Sequence, residues 1–150
     1  MTGYTIRRAR RPDIGAIVRM LADDQLGATR DDPGDLGPYL RAFDEIDTDP
    51  NQLLVVAVSE DEPVGTLQLT IIPGLARRGS LRGQIEAVRI RADHRGSGLG
   101  TGIVEWAIDE SRRRGCSLVQ LTSDIRRTEA HRFYERLGFT PSHTGFKLKL

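Results

Sequence analysis

The chain has 150 residues, 38% of them hydrophobic, enough for a single domain, residues 1–150, around one sizeable core. Its formal net charge of +1 offers no electrostatic reason to expect a nucleic-acid partner. Cys116 is the only cysteine and no apolar run approaches membrane-spanning length, which excludes an intramolecular disulfide and a transmembrane helix.

The N-terminal residues Met1 to Tyr4 do not read as a signal peptide, so a cytoplasmic location without membrane attachment is expected. Tyr4 to Ala9 alternates as a short strand. Pro12 then suits a helix start, with Ile14, Ile17, Val18 and Leu21 at helical spacing. Gly27 to Gly37, rich in Asp, Gly and Pro, predicts a loop, and Leu36 to Ile46 a second helix burying Leu36, Leu40 and Phe43. Leu53–Val58 and Val64–Ile72 flank the turn Glu60-Asp61-Glu62-Pro63 and predict a hairpin. A basic, glycine-containing segment, Pro73 to Gly83, leads into a strand at Ile85. A helix is expected from Gly98 to Arg114 with Leu99, Ile103, Trp106 and Ala107 towards the sheet, its end marked by Arg112, Arg113, Arg114 and Gly115. Leu118 to Thr122 reads as a strand, Thr128 to Leu137 as a helix, and Phe146 to Leu150 alternates like a closing strand. The order predicts an α+β fold with a mixed, largely antiparallel central sheet flanked by helices.

The most informative stretch runs from Ile85 to Gly100: a strand, a glycine-rich turn with Arg95 at its mouth, and the first turn of a helix. Such a helix start aims unpaired backbone N–H groups at one point, backed by the positive end of the helix dipole. Glycines allow close approach of a ligand to the main chain. The combination is a phosphate or pyrophosphate pocket. A P-loop is excluded, because Gly100 is followed by Thr101 and Gly102 with no lysine nearby. The dinucleotide fingerprint also fails, placing Thr101 or Ile103 where its last glycine should stand.

What fits is Arg/Gln-x-x-Gly-x-Gly/Ala, present as Arg95-Gly96-Ser97-Gly98-Leu99-Gly100. With Ala130-His131-Arg132-Phe133-Tyr134 and Gly138-Phe139 downstream, which match A-x-x-F-Y-x-x-x-G-F, the sequence resembles the GNAT superfamily of acetyl-CoA-dependent N-acetyltransferases over roughly residues 4–150. The resemblance implies a GNAT-like acyl-CoA N-acyltransferase fold and acetyl-CoA as co-substrate. Its pyrophosphate would lie on Arg95, Gly96, Ser97, Gly98, Leu99, Gly100 and Thr101. The resemblance further implies a bulge near Val88, Arg89 and Ile90, splaying the strand and freeing main-chain groups for the pantetheine arm and thioester.

N-acetylation needs a neutral amine, yet an amine with a pKa of about 10 is almost all ammonium at neutral pH. A base is therefore useful, and an acid helps the thiolate depart. By resemblance Tyr134 is the candidate acid; the bland alternative is that it packs the helix beside Phe133. Glu86 is the candidate base, acting directly or through water, if Glu86, Val88 and Ile90 share one strand face. The alternative is a paired or surface glutamate. Many family members carry asparagine where Arg127 stands, preceded here by Arg126; these arginines either contact a phosphate or substrate or form a solvated turn.

Leu121–Arg127, Ala130–Tyr134 and Ser142-His143 further resemble the aminoalkylphosphonate N-acetyltransferases. If this carries over, Ser123, Asp124, Ser142 and His143 line the acceptor site. The expected partner is a small-molecule amine, with a homodimer as the working unit. His94, His131 and His143 have no close ligand spacing, so no metal is expected. Two readings compete with small-amine acetylation: acetylation of a protein N-terminus or lysine, and a non-catalytic acyl-CoA sensor.

Overall fold

The computed structural model describes residues 3–150. Strands β1 (Thr5–Arg8), β2 (Gln52–Ser59), β3 (Glu62–Pro73), β4 (Leu81–Ile90) and β5 (Cys116–Leu121) form one sheet in that spatial order. Neighbours are antiparallel from β1 to β4, and β5 runs parallel to β4. The sheet is thus mixed and largely antiparallel. Between β2 and β3, Glu60 (φ 51°) and Asp61 (φ 63°) both take positive φ, as a two-residue type I′ hairpin turn requires. Val55, Val56 and Ala57 are inaccessible to solvent, which explains why β2 reads as a continuous apolar run rather than an alternating one.

One face of the sheet carries α1 (Ile14–Ala22) and α3 (Gly37–Thr48), joined by the single-turn α2 (Gly27–Arg30). Ile14, Ile17, Val18 and Met20 of α1 and Phe43 of α3 pack there around Val56. Between β3 and β4 lies α4 (Ala76–Gly79), one turn in which Arg77 and Arg78 take left-handed angles. The other face carries α5 (Leu99–Arg113) and α6 (Thr128–Arg136). Leu99, Ile103, Val104 and Ala107 seat α5 on Val55, Leu67, Leu69 and Ile85, while Trp106 is only partly buried against this cluster. Gly83 of β4 faces Ser111 of α5 so closely that an added Cβ would lie 3.2 Å from Ser111 Cβ.

Three expectations change. Strand β4 begins at Leu81, because Leu81 to Gly83 already pair with β3 and β5 although their sequence lacks a β-branched residue. The expected loop Gly27 to Gly37 contains α2. The tail forms no closing strand: Phe146, Leu148 and Leu150 are 91%, 86% and 111% exposed. Its alternation is real, but nothing among the described residues covers the apolar side.

Candidate active site

The site is organised by an irregularity in β4. Glu86 pairs with Gln68 and Arg89 with Thr66, so Ala87 and Val88 together stand opposite Leu67. Ala87 has φ 55°, the left-handed angle at which a bulge absorbs its extra residue. The bulge reverses the alternation. Ile85, Val88 and Ile90 pack on the α5 side, while Ala87 lines a cavity on the α1/α3 side. Glu86 therefore does not share a face with Val88 and Ile90. Sequence alternation predicts otherwise because one inserted residue shifts every later side chain to the opposite face. Glu86 itself is exposed, on the side away from Ile85.

Pairing between β4 and β5 ends at Ile85 opposite Leu121, yet β4 continues to Ile90. The edge beyond Ile85 is open. There the Val88 carbonyl accepts from Arg89 Nη1 at 2.9 Å and the Ile90 carbonyl from Arg95 Nε at 3.1 Å. Gly96 (φ 77°) and Gly98 (φ 86°) turn the chain into α5, angles that glycine alone adopts without strain. A Cβ at either would meet no protein atom within 4 Å, so the space before the loop is clear. Gly98 is the N-cap of α5 and supplies no side-chain cap. The Gly102 N–H already bonds the Gly98 carbonyl at 3.1 Å, leaving the amides of residues 98–101 as the donors free to meet an anion. Leu99 anchors the turn by burying its side chain in the core, and Thr101 sits in the first turn. Arg95 flanks the loop, 3.4 Å from Asp23, and Ser97 Oγ donates to the His94 carbonyl. This cradle fits a pyrophosphate: uncapped amides, open space and one flanking cation.

Across the open edge lies α6. Phe133 packs where Gly100 passes, 3.5 Å from the position of an added Cβ. It stacks edge-on with Tyr134 at 5.1 Å, and Tyr134 with Phe139 at 5.8 Å. Burial pushes the Tyr134 phenol above its ordinary pKa, against the smaller opposing pull of Arg89 and Arg127. A phenol so placed keeps its proton at neutral pH and can give it to a developing thiolate.

Arg89 and Arg127 meet at Asp24, in the segment after α1. Asp24 accepts from Arg127 Nη1 at 2.7 Å and lies 3.8 Å from Arg89 Nε. Its other oxygen accepts from the Gly27 N–H. Burial raises the Asp24 carboxyl, but the Gly27 hydrogen bond and both guanidiniums outweigh it and hold it below its usual range. Burial, then the like charge of Arg127, lowers the Arg89 guanidinium, while Asp24 and Asp31 act in the opposite sense. On the same face, a half-open apolar cavity of about 170 Å³ reaches from Ile17, Leu21 and Phe43 down to Thr66, Gln68 and Ala87.

The remaining sequence candidates fare unequally. Asp124 is taken up by Arg30 at 3.1 Å and Arg126 at 2.9 Å, and Ser123 precedes it at the mouth of the β5–α6 connection. Ser142 Oγ and His143 Nδ1 lie 2.6 Å apart on the exposed tail. His131 is not on a free helix face: its Nε2 lies 2.9 Å from the Asp124 carbonyl. Arg126 fits the solvated-turn reading, being exposed and paired within its own loop, whereas Arg127 is turned inwards to Asp24. Sequence reasoning missed Asp24, which has no spacing that marks it, and the side chain of Arg89, whose direction depends on the bulge.

A sequence model of the Acetyltransferase (GNAT) family matches residues 17–139. The chain belongs to the GNAT acetyltransferase family. It is 34% identical over 98 residues to an aminoalkylphosphonate N-acetyltransferase of Salmonella typhimurium, covering 65% of this chain and 63% of that protein. It is 36% identical over 87 residues to a glucosamine 6-phosphate N-acetyltransferase of Trypanosoma brucei brucei, covering 58% and 57%. The chain thus spans 63% and 57% of the length of these two curated relatives, less than two thirds of either. A crystal structure from Bacillus halodurans C-125, described as a transcriptional regulator, is 46% identical over 99% of this chain and 100% of that one, with a TM-score of 0.94.

Proposed function

We propose that this protein transfers the acetyl group of acetyl-CoA to the primary amine of a small molecule. The observation that carries this reading is the juxtaposition, on the open edge of β4, of the uncapped glycine turn and the half-buried Tyr134. In the proposed reaction the amine nitrogen attacks the thioester carbon and the C–S bond breaks. Tyr134 gives its proton to the departing sulfur, and Glu86, directly or through a water, receives the proton that the amine loses. Main-chain groups of Val88, Arg89 and Ile90 would hold the pantetheine arm. The half-open cavity ending at Ala87 gives the acceptor a route from the α1/α3 side, where Glu86 also stands.

The same reading takes the chain as one domain working as a homodimer in the cytoplasm. The bare apolar tail residues and the unpaired outer edge of β5 among the described residues support a second copy there. Thiol release from acetyl-CoA against a panel of small primary amines tests the function. Turnover on one amine class is expected. Acetyl-CoA binding with no turnover on any amine would instead favour the sensor reading, in line with the description of the Bacillus halodurans chain, or a protein acceptor.

A further inference from the structure

Asp24 is the one carboxylate within salt-bridge distance of both Arg89 and Arg127. The side chains of the three residues are only 28%, 20% and 24% exposed, respectively. Arg89 Nε and Arg127 Nη2 are shielded from solvent and have no hydrogen-bond partner among the described residues. Leaving a buried donor on a charged group unpaired is costly, and such donors are rare unless something completes them. The other nearby carboxylates make no ion pair with either arginine, Asp31 acting on Arg89 only at a distance. Asp31 accepts from the Tyr39 hydroxyl at 2.9 Å, and Asp124 is held by Arg30 and Arg126. The cluster of Arg89, Arg127 and Asp24 therefore carries an excess of one positive charge and two unpaired donors.

We infer that Arg89 and Arg127 form a subsite for an anionic group on the acceptor, so that the substrate is a short amine carrying a phosphonate, phosphate or carboxylate. Arg89 stands two residues beyond Ala87, and both lie on the acceptor side of β4. At about 3.3 Å per residue, roughly 7 Å of strand separates the bulge from the arginine. An amine at the bulge and an oxyanion at Arg89 would then be linked by two or three carbons. Guanidinium forks suit tetrahedral and planar oxyanions alike, since each offers paired N–H donors to two oxygens. Asp24 acts as a stand-in, holding Arg127 by one arm while leaving the other free. The acidic groups of two relatives' named substrates, a phosphonate and a sugar phosphate, are consistent with this chemistry.

The inference rests on the acetyl-transfer reading for its kinetic arm only, and an equilibrium arm separates the two. In the kinetic arm, kcat/KM is measured for 2-aminoethylphosphonate, O-phosphoethanolamine, β-alanine and the uncharged propylamine. Wild-type protein is expected to prefer the best anionic amine over propylamine by roughly 100-fold, with the ranking identifying the oxyanion. Arg127→Gln should cut that preference by at least roughly 10-fold through KM, and Arg127→Lys should restore part of it. In the equilibrium arm, 2-aminoethylphosphonate, O-phosphoethanolamine and β-alanine are each titrated calorimetrically into protein saturated with CoA, which has no acetyl group to transfer. Binding of the best of the three should weaken roughly 10- to 100-fold in Arg127→Gln. It should tighten in Asp24→Asn, which removes the competing carboxylate but keeps an acceptor for Gly27. A purely structural Asp24–Arg127 pair predicts that both variants weaken binding alike. That result, a wild-type preference near one, or an equal loss for propylamine and the anionic amines would overturn the subsite. So would a loss in Arg127→Gln of affinity for CoA itself as large as that for the anionic amine. If no amine is acetylated but the equilibrium arm behaves as described, the subsite stands and the acetyl-transfer reading falls.

Discussion

Gly83→Ala tests how α5 is held against the strand that carries the bulge. The new Cβ would lie 3.2 Å from Ser111 Cβ and 3.4 Å from Leu69 Cδ1, and closer still to Ser111 Oγ. Ordinary contacts of this kind lie at about 3.5–4.0 Å. Ser111 is 1% exposed and its Oγ donates to the Ala107 carbonyl at 2.8 Å, so rotating away would break that hydrogen bond in a buried setting. Either α5 moves off β4 or the buried hydroxyl loses its acceptor. Overpacking costs about 1–3 kcal/mol and an unsatisfied buried hydroxyl about the same. Replacing a strand glycine returns roughly 0.5–1 kcal/mol of backbone entropy. The net loss is about 1 kcal/mol, or roughly 2–4 °C in Tm for a chain of this size. Urea unfolding of wild type, Gly83→Ala, Ser111→Ala and the double variant reads the coupling directly. Removing Oγ should recover at least about half of the Gly83→Ala loss. An equal loss in both backgrounds would refute the contact as the cause.

Tyr134→Phe should lower kcat roughly 100-fold while leaving acetyl-CoA affinity nearly intact, measured by thiol release and calorimetry. Because burial raises the phenol, the alkaline limb it controls in wild type should lie above its ordinary value of 10; a limb below 10 would assign that titration to another group. Asp24, held below its ordinary 3.8, contributes stability that is full above that value and lost as pH falls through its lowered pKa. Urea midpoints of wild type and Asp24→Asn should therefore converge in acid, below about pH 4. Removing residues 144–150 should turn the proposed dimer into a monomer by light scattering, since Phe146, Leu148 and Leu150 are its exposed apolar contacts.

Much of this architecture was legible in the sequence. Amphipathic spacing located α1, α3 and α5 to within about two residues, and the expected turn Glu60-Asp61-Glu62-Pro63 located the β2–β3 hairpin, although only Glu60 and Asp61 form the turn and Glu62 and Pro63 already belong to β3. The glycine pattern marked the helix start because backbone angle, not packing, demands Gly96 and Gly98. What alternation could not show was the inserted residue at Ala87, and with it the side on which Val88, Arg89 and Ile90 stand. Ala87 has no sequence mark because alanine tolerates the left-handed angle only where pairing on both sides imposes it. The clasp of Asp24 on Arg127 joins positions 103 residues apart, a closeness that only the folded sheet creates. The tail failed for a different reason: its period-two pattern is correct for a strand, but a strand also needs a partner edge.

The measurement that bears most directly on the whole account is a calorimetric titration of acetyl-CoA into the wild-type protein and into Gly98→Val. The side chain of valine would enter the clear space before the α5 amides, at a residue with φ 86°. Single-site binding to wild type is expected, and its abolition in the folded variant. No binding to wild type, or undiminished binding to Gly98→Val, would contradict the account.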